Sequence, residues 1–244
     1  MEKDVCKIKI GDEQDSGFFC KIPFPDKNNM LPVLMTNNFN INRELLYKKD
    51  SKIKISIKES NESKVIDLNN RRKYTNSEYG ITIIETKEAD NINDYLELDD
   101  IIINDILNND NKTYNFLYET IYIIQYPKGE LSVSYGTLDA INEDKKYNFN
   151  HKCKAEIGSS GSPILNLNNK VIGILKDNFN EGTFLNYPIK EFIKLFKSFH
   201  DDNYMNFERN DTLLNELNLR YDLDIEGTKI ENLDLSYKYL GNKG

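Results

Sequence analysis

The sequence predicts an all-β body closed by a single helix. Strand-period alternation opens the chain, short apolar runs bounded by Asn, Asp, Gly or Pro follow, and helical periodicity is concentrated in one segment near residue 190. At 244 residues the chain is long enough to bury a sizeable core.

The elements read in order as follows. "VCKIKI" (Val5 to Ile10) and "KIKISIK" (Lys52 to Lys58) put Ile on one face and Lys or Ser on the other, the mark of half-buried strands. More continuous apolar runs are "LPVLMT" (31–36), "ITIIET" (81–86), "TIYIIQYP" (120–127), "SPILNL" (162–167) and "KVIGILK" (170–176). Their length and turn-rich borders suit strands of a closed or doubly packed sheet. In "IKEFIKLFKSF" (189–199), Ile189, Phe192, Ile193 and Phe196 share one helical face. The acidic, Asn-rich stretch from Leu96 to Asn111 reads as a solvated connection between two halves of the body; it lacks the ligand spacing of a calcium loop.

From residue 201 the texture changes, which sets expected domain limits of 1–200 for the body and 201–244 for a small α/β tail. "TLLNELNLRY" suits a short amphipathic helix. "KIENLDLSYKYLG" has the L-x-L-x-x-x-x-L-G spacing of an opening leucine-rich-repeat unit. One unit cannot bury its own apolar face, so the tail either packs on the body or begins a longer array.

Composition narrows the function classes. The net charge of −8 argues against a general nucleic-acid binder; "NNRRKYTN" (69–76) is the densest basic cluster and reads as a solvated turn. The opening residues have no apolar signal-peptide core, and no apolar run reaches the roughly 18 residues of a membrane span, so a cytoplasmic protein without membrane attachment is expected. Cys6, Cys20 and Cys153 are odd in number and widely spaced, which predicts buried free thiols. No metal or cofactor is expected.

The chemistry concentrates in "EIGSSGSPIL" (156–165). A serine between glycines on a tight turn exposes its hydroxyl, and the glycine two positions earlier lets main-chain N–H groups converge on an oxyanion. Ser160 holds the nucleophile position, with the N–H groups of Gly158 and Ser160 as donors; a plain Gly/Ser loop is the competing reading. The extended stretch "GSSGSPILNLNNKVIGILK" resembles the nucleophile region of the trypsin-like (chymotrypsin-fold) serine peptidases. "GTFLNYPIKEFIKLF" is similar to their closing strand and helix, "SGFFCKIP" to an early strand, and "LPVLMTNNFNI" to the strand that delivers the histidine. The resemblance covers roughly residues 4 to 200 and implies two antiparallel Greek-key β-barrels with a C-terminal helix. It also implies a peptide or protein segment as partner.

Two positions depart from that pattern. Where the family has T-[AN]-[AN]-H this chain has Thr36-Asn37-Asn38-Phe39, so Phe39 replaces the histidine. Where an aspartate precedes an apolar strand, "EYGITIIE" has Gly80. Phenylalanine has no lone pair to take the serine proton, and glycine has no carboxylate to orient an imidazole. Enzymes of this type that lose a triad member keep only about 10³–10⁴-fold enhancement over water. Only two histidines exist, and His151 and His200 suit surface or packing roles; Lys152, Lys154 and Lys176 are candidate bases of the Ser-Lys kind but suit solvated positions better. With Ser159 where cleavage-activated relatives carry an aspartate, no zymogen step is expected. The expected function is a pseudoprotease that binds a peptide or acts as an interaction module. The alternatives are a serine endopeptidase working through Ser160 with a non-standard base, and a purely supporting domain of a repeat protein. Substrate preference and oligomeric state are not written in the sequence.

Overall fold

The computed structural model describes residues 3–11, 13–39, 41–57, 63–108, 116–177 and 180–200, without the side chains of 198–200. The repeat-like tail and the His200 side chain lie outside the described residues. Contacts group Met1–Ile193 into one compact unit.

The first half contains β1 (Val5–Ile10), β2 (Glu13–Pro23), β3 (Met30–Asn37), the short helix α1 (Arg43–Tyr47), β4 (Lys52–Ser56), β5 (Ser63–Asp67), β6 (Lys73–Asn76) and β7 (Ile81–Glu85). These strands form one antiparallel sheet in the order β5-β4-β1-β2-β3-β7-β6. Among the described residues no pairing joins β5 to β6, and the sheet curls into a half-barrel, which agrees with the expected double-barrel architecture. Alternation does its expected work: Ile53 and Ile55 point inward from β4 and join Ile8, Phe19, Leu34, Ile66 and Ile84 in a shared apolar core. α1 starts where Asn42 accepts the Leu45 N–H through its side chain, at 3.1 Å.

The connection to the second half is more structured than its composition suggests. Leu96 and Leu98 make isolated parallel bridges to Cys20 and Val171, one in each half. Helix α2 (Asp100–Asn108) then replaces the expected solvated loop, because Ile102 and Asp105 face inward. Asp105 is buried against Asn186 and Lys190 of α3 (Asn186–His200), at 2.8 and 2.5 Å.

The second half contains β8 (Thr120–Gln125), β9 (Ser132–Ile141), β10 (Asn148–His151), β11 (Pro163–Asn166), β12 (Val171–Leu175) and β13 (Glu181–Phe184), which close into a six-stranded antiparallel barrel. Closure removes sheet edges and fills the interior with side chains. Phe149 fills this one: a Cβ at Gly173 or Gly182 would strike its ring at 2.8 or 2.4 Å, so both strands need glycine there. Phe149 stacks on Phe184 with ring centres 4.4 Å apart.

The basic cluster near residue 71 also differs from expectation. Arg71 is buried, with its guanidinium on Asp90 at 2.7 Å and on the Glu85 carbonyl at 2.9 Å, and Arg72 pairs with Glu85 at 2.9 Å. The three cysteines are free and buried; burial pushes the Cys153 thiol up to about 12. Among the described residues no helix is long and apolar enough to cross a membrane.

Candidate active site

The serine-bearing segment before β11 is two successive turns. Ser159 N–H donates to the Glu156 carbonyl at 3.0 Å, with Gly158 at φ +92°, and Ser162 N–H donates to the Ser159 carbonyl at 3.1 Å, with Gly161 at φ +81°. Each turn needs a left-handed residue, which explains the paired glycines. Ser159 is fully buried and its hydroxyl accepts the Glu156 N–H at 3.3 Å, so it serves the turn itself. Ser160 is 6% exposed. Among the described residues no acceptor takes the N–H of Gly158 or Ser160.

Both halves grip these turns. Ser160 C=O accepts from Ser16 N–H of β2 at 3.1 Å, and Gly158 C=O accepts from the Ser16 hydroxyl at 2.8 Å. That hydroxyl also accepts the Tyr126 N–H at 3.0 Å, while Thr36 of β3 donates its hydroxyl to the Ser16 carbonyl at 2.8 Å. From the barrel side, Gly161 N–H donates to Leu175 C=O and Leu175 N–H to Ser162 C=O, both at 2.9 Å. Gly161 is so enclosed that a Cβ would lie 2.4 Å from Ser16 O and 2.7 Å from Asn37 N.

The turn after β3 carries Phe39. Its N–H donates to the Asn37 side chain at 2.8 Å, and its ring is 66% exposed. The next residue back, Asn38, donates its N–H to Gly80 C=O at 3.3 Å, so the Phe39 turn and the turn before β7 are neighbours. Gly80 has φ +68°, and the space its side chain would take is filled by the stem of Lys176: Cε, Cγ and Cδ lie 3.2, 3.5 and 3.8 Å from a Cβ placed there.

Lys176 follows directly on β12 and is half-buried where a solvated lysine was expected. Its ammonium donates to Glu78 C=O at 3.3 Å and to Asn148 Oδ1 at 3.4 Å. Desolvation lowers its pKa, with the Lys145 charge acting in the same direction and Glu181, Asp177 and Glu78 opposing. Asp177, beside it, has its carboxyl pushed up by desolvation, partly offset by the nearby Ser160 hydroxyl and by the Lys176 charge. Lys152 and Lys154 are solvent-facing, paired with Asp139 at 2.9 Å and with Glu156 at 3.3 Å.

His151 is buried in the second barrel, 4% exposed, with its ring 6.4 Å from that of Phe149. Burial lowers its pKa to about 4, so it is neutral at pH 7. Sequence reading missed Ser16, Thr36, Lys176 on Gly80, and Asp177. Each acts across a long chain separation, and only the Ser16-Gly17 pair inside an apolar strand gave a local hint.

Comparison with known proteins agrees with this architecture. Residues 57–174 match the model of the trypsin-like peptidase domain. No curated protein sequence matches the chain. The solved structure of Deg5 is similar at TM-score 0.56 and 15% identity, covering 78% of this chain and 87% of that one. The Rv3671c protease of M. tuberculosis in its inactive form is similar at TM-score 0.52 and 13% identity, covering 79% and 88%. The serine protease of a human pathogenic astrovirus is similar at TM-score 0.51 and 12% identity, covering 76% and 91%. The chain therefore has the chymotrypsin-type fold, and residues 57–174 of it match the trypsin-like peptidase domain.

Proposed function

We propose that this chain is a non-catalytic trypsin-like peptidase homologue that binds a peptide or protein segment. In this reading Ser160 stands at the nucleophile position, the N–H groups of Gly158 and Ser160 form the oxyanion site, and Phe39 and Gly80 stand where the base and the acid would be. The observation that carries it is the filled space beside Gly80. The Lys176 stem lies 3.2 to 3.8 Å from where a Cβ at position 80 would sit, while Phe39 is exposed and has no basic atom.

Retention of the serine turns does not argue against this. Ser16, Thr36 and Leu175 hold both turns from two sides, so their loss would disturb the junction of the two halves whatever the chemistry. The two unused N–H groups are suited to a carbonyl or carboxylate oxygen of a bound segment.

A reactive fluorophosphonate probe tests the reading. The expected result is no stoichiometric labelling of the protein; complete labelling that disappears in Ser160→Ala would overturn it. The second reading is an active endopeptidase, and the nearness of the Ser160 hydroxyl to the Asp177 carboxyl favours it. It requires labelling that is lost in Asp177→Ala as well. A carboxylate is a weak base for a serine hydroxyl and a poor proton donor to a leaving amine at neutral pH, which is why we rank it second.

A further inference from the structure

We infer that Lys176 has taken over the vacated acid position as a positioning residue, and that a carboxylate introduced at position 80 would be captured by Lys176 instead of orienting a base at position 39. The inference rests on the placement of Phe39 and Gly80 given above.

Three observations meet at this point. Lys176 Cε, Cγ and Cδ lie 3.2, 3.5 and 3.8 Å from a Cβ placed at Gly80, and Nζ is one bond beyond Cε, the closest of them. A carboxylate on that Cβ is within rotamer reach of the ammonium. Among the described residues the ammonium donates to neutral oxygens, Glu78 C=O and Asn148 Oδ1, both at the long end of hydrogen bonding. Glu181, Asp177 and Glu78 act on it through their charge, but its two hydrogen-bond acceptors are neutral, so an adjacent carboxylate would be a better partner than either.

Lys176 also ties the two halves together at this place. It reaches from the end of β12 to the 78–80 turn, beside a second tie in which Thr183 of β13 donates to Tyr79 C=O at 2.7 Å and to Asn148 Oδ1 at 3.3 Å. Because Gly80 C=O accepts from Asn38, this tie extends to the Phe39 turn. The lysine thus positions the loop that an active site would need free. The charged groups acting on its ammonium are Glu181, Lys145, Asp177 and Glu78.

The test compares Phe39→His/Gly80→Asp with the same pair carrying Lys176→Ala or Lys176→Met. The readout is the rate of fluorophosphonate labelling of Ser160. Labelling forms the Oγ–P bond, expels fluoride and passes the serine proton to the introduced imidazole. The double variant is expected to label no faster than wild type. Adding Lys176→Ala should raise the rate at least about tenfold, since removing an orienting carboxylate from a working triad costs about 10⁴ in kcat. The rescued rate should rise with pH through the imidazole range near 6.5. Lys176→Met should give a smaller gain, because it removes the charge and keeps much of the stem. A double variant that labels as fast as the triple overturns the inference.

A second measurement holds whether or not labelling appears. Urea unfolding of Gly80→Asp, Lys176→Met and their combination should show Gly80→Asp lowering the midpoint less with Lys176 present than with Met there. Equal shifts overturn the capture. Coupling without rescue would instead mean that Phe39 and Gly80 are not the triad positions, which separates failure of the functional reading from failure of this one.

Discussion

The main-chain N–H of Asn38 donates to the carbonyl of Gly80 across 3.3 Å. This single bond links the turn after β3, which carries Phe39, to the turn before β7. Gly80 is left-handed, but its only close neighbours are atoms of a flexible side chain. Gly80→Ala should cost about 1 kcal/mol, mostly from the strained φ, as read by urea denaturation. Its effect should be confined to stability.

Gly161→Ala should behave very differently. The same kind of left-handed φ is combined with backbone atoms of Ser16 and Asn37 inside 2.8 Å of any Cβ, and backbone cannot step aside as a lysine stem can. Strain and overpacking of about 1–3 kcal/mol each should sum to a loss large enough to shift the melting temperature by many degrees. Gly11→Ala is the control, since it shares the positive φ and meets nothing within 4 Å. Equal losses at the two sites would contradict the packing described.

Ser16→Ala removes a hydroxyl that donates to Gly158 and accepts from Tyr126 within a fully buried environment. Two buried backbone groups lose their partner at once. A loss of about 1–3 kcal/mol is expected, with Ser16→Thr recovering part of it if the extra methyl is tolerated. Hydrogen exchange should show faster opening of the 156–162 segment in Ser16→Ala than in wild type.

What the sequence disclosed follows from range. The serine turns were legible because their glycines, small side chains and following apolar strand all lie within ten residues, and the alternating Ile residues of β1 and β4 named their own buried face. Contacts across the chain left no local mark. Lys176 lies 96 positions from Gly80, and its sequence neighbourhood reads as an ordinary strand end. Arg71 looked solvated because its partner Asp90 is 19 residues away; the pair hides a guanidinium that composition alone assigns to the surface. Helix α2 was missed because "DDIIINDILNN" offers few strong helix formers, and its inward face includes Asp105, which a hydrophobic pattern counts as outward.

That buried aspartate gives a further prediction. Asp105 accepts from the Asn186 side chain and pairs with Lys190, which fastens α2 to the start of α3. Asp105→Ala strands the Lys190 ammonium in a mostly buried place and should cost about 3–5 kcal/mol. Replacing both charges, as in Asp105→Leu with Lys190→Met, should cost less than the single change, because no uncompensated charge remains. Calorimetric melting of the three proteins tests this. A double variant worse than Asp105→Ala would mean that the pair is worth more than its desolvation.

His151 sets the pH dependence that is easiest to measure. Its pKa in the folded protein is lowered to about 4 by burial, against about 6.5 in the unfolded chain. Above 6.5 both states are neutral and the group contributes no slope. As pH falls from 6.5 toward 4 the unfolded state binds a proton that the folded state refuses, so stability declines by up to about 1.4 kcal/mol per pH unit and about 3 kcal/mol in all. Below the folded value both states are protonated and the slope from this group ends. His151→Phe keeps an aromatic ring beside Phe149 without the titrating nitrogens, so the difference in unfolding free energy between wild type and variant should change across pH 6.5 to 4 and be flat above it. A constant difference over the whole range would show that His151 reaches water in the folded barrel, and that the packing of its ring against Phe149 does not exclude the proton.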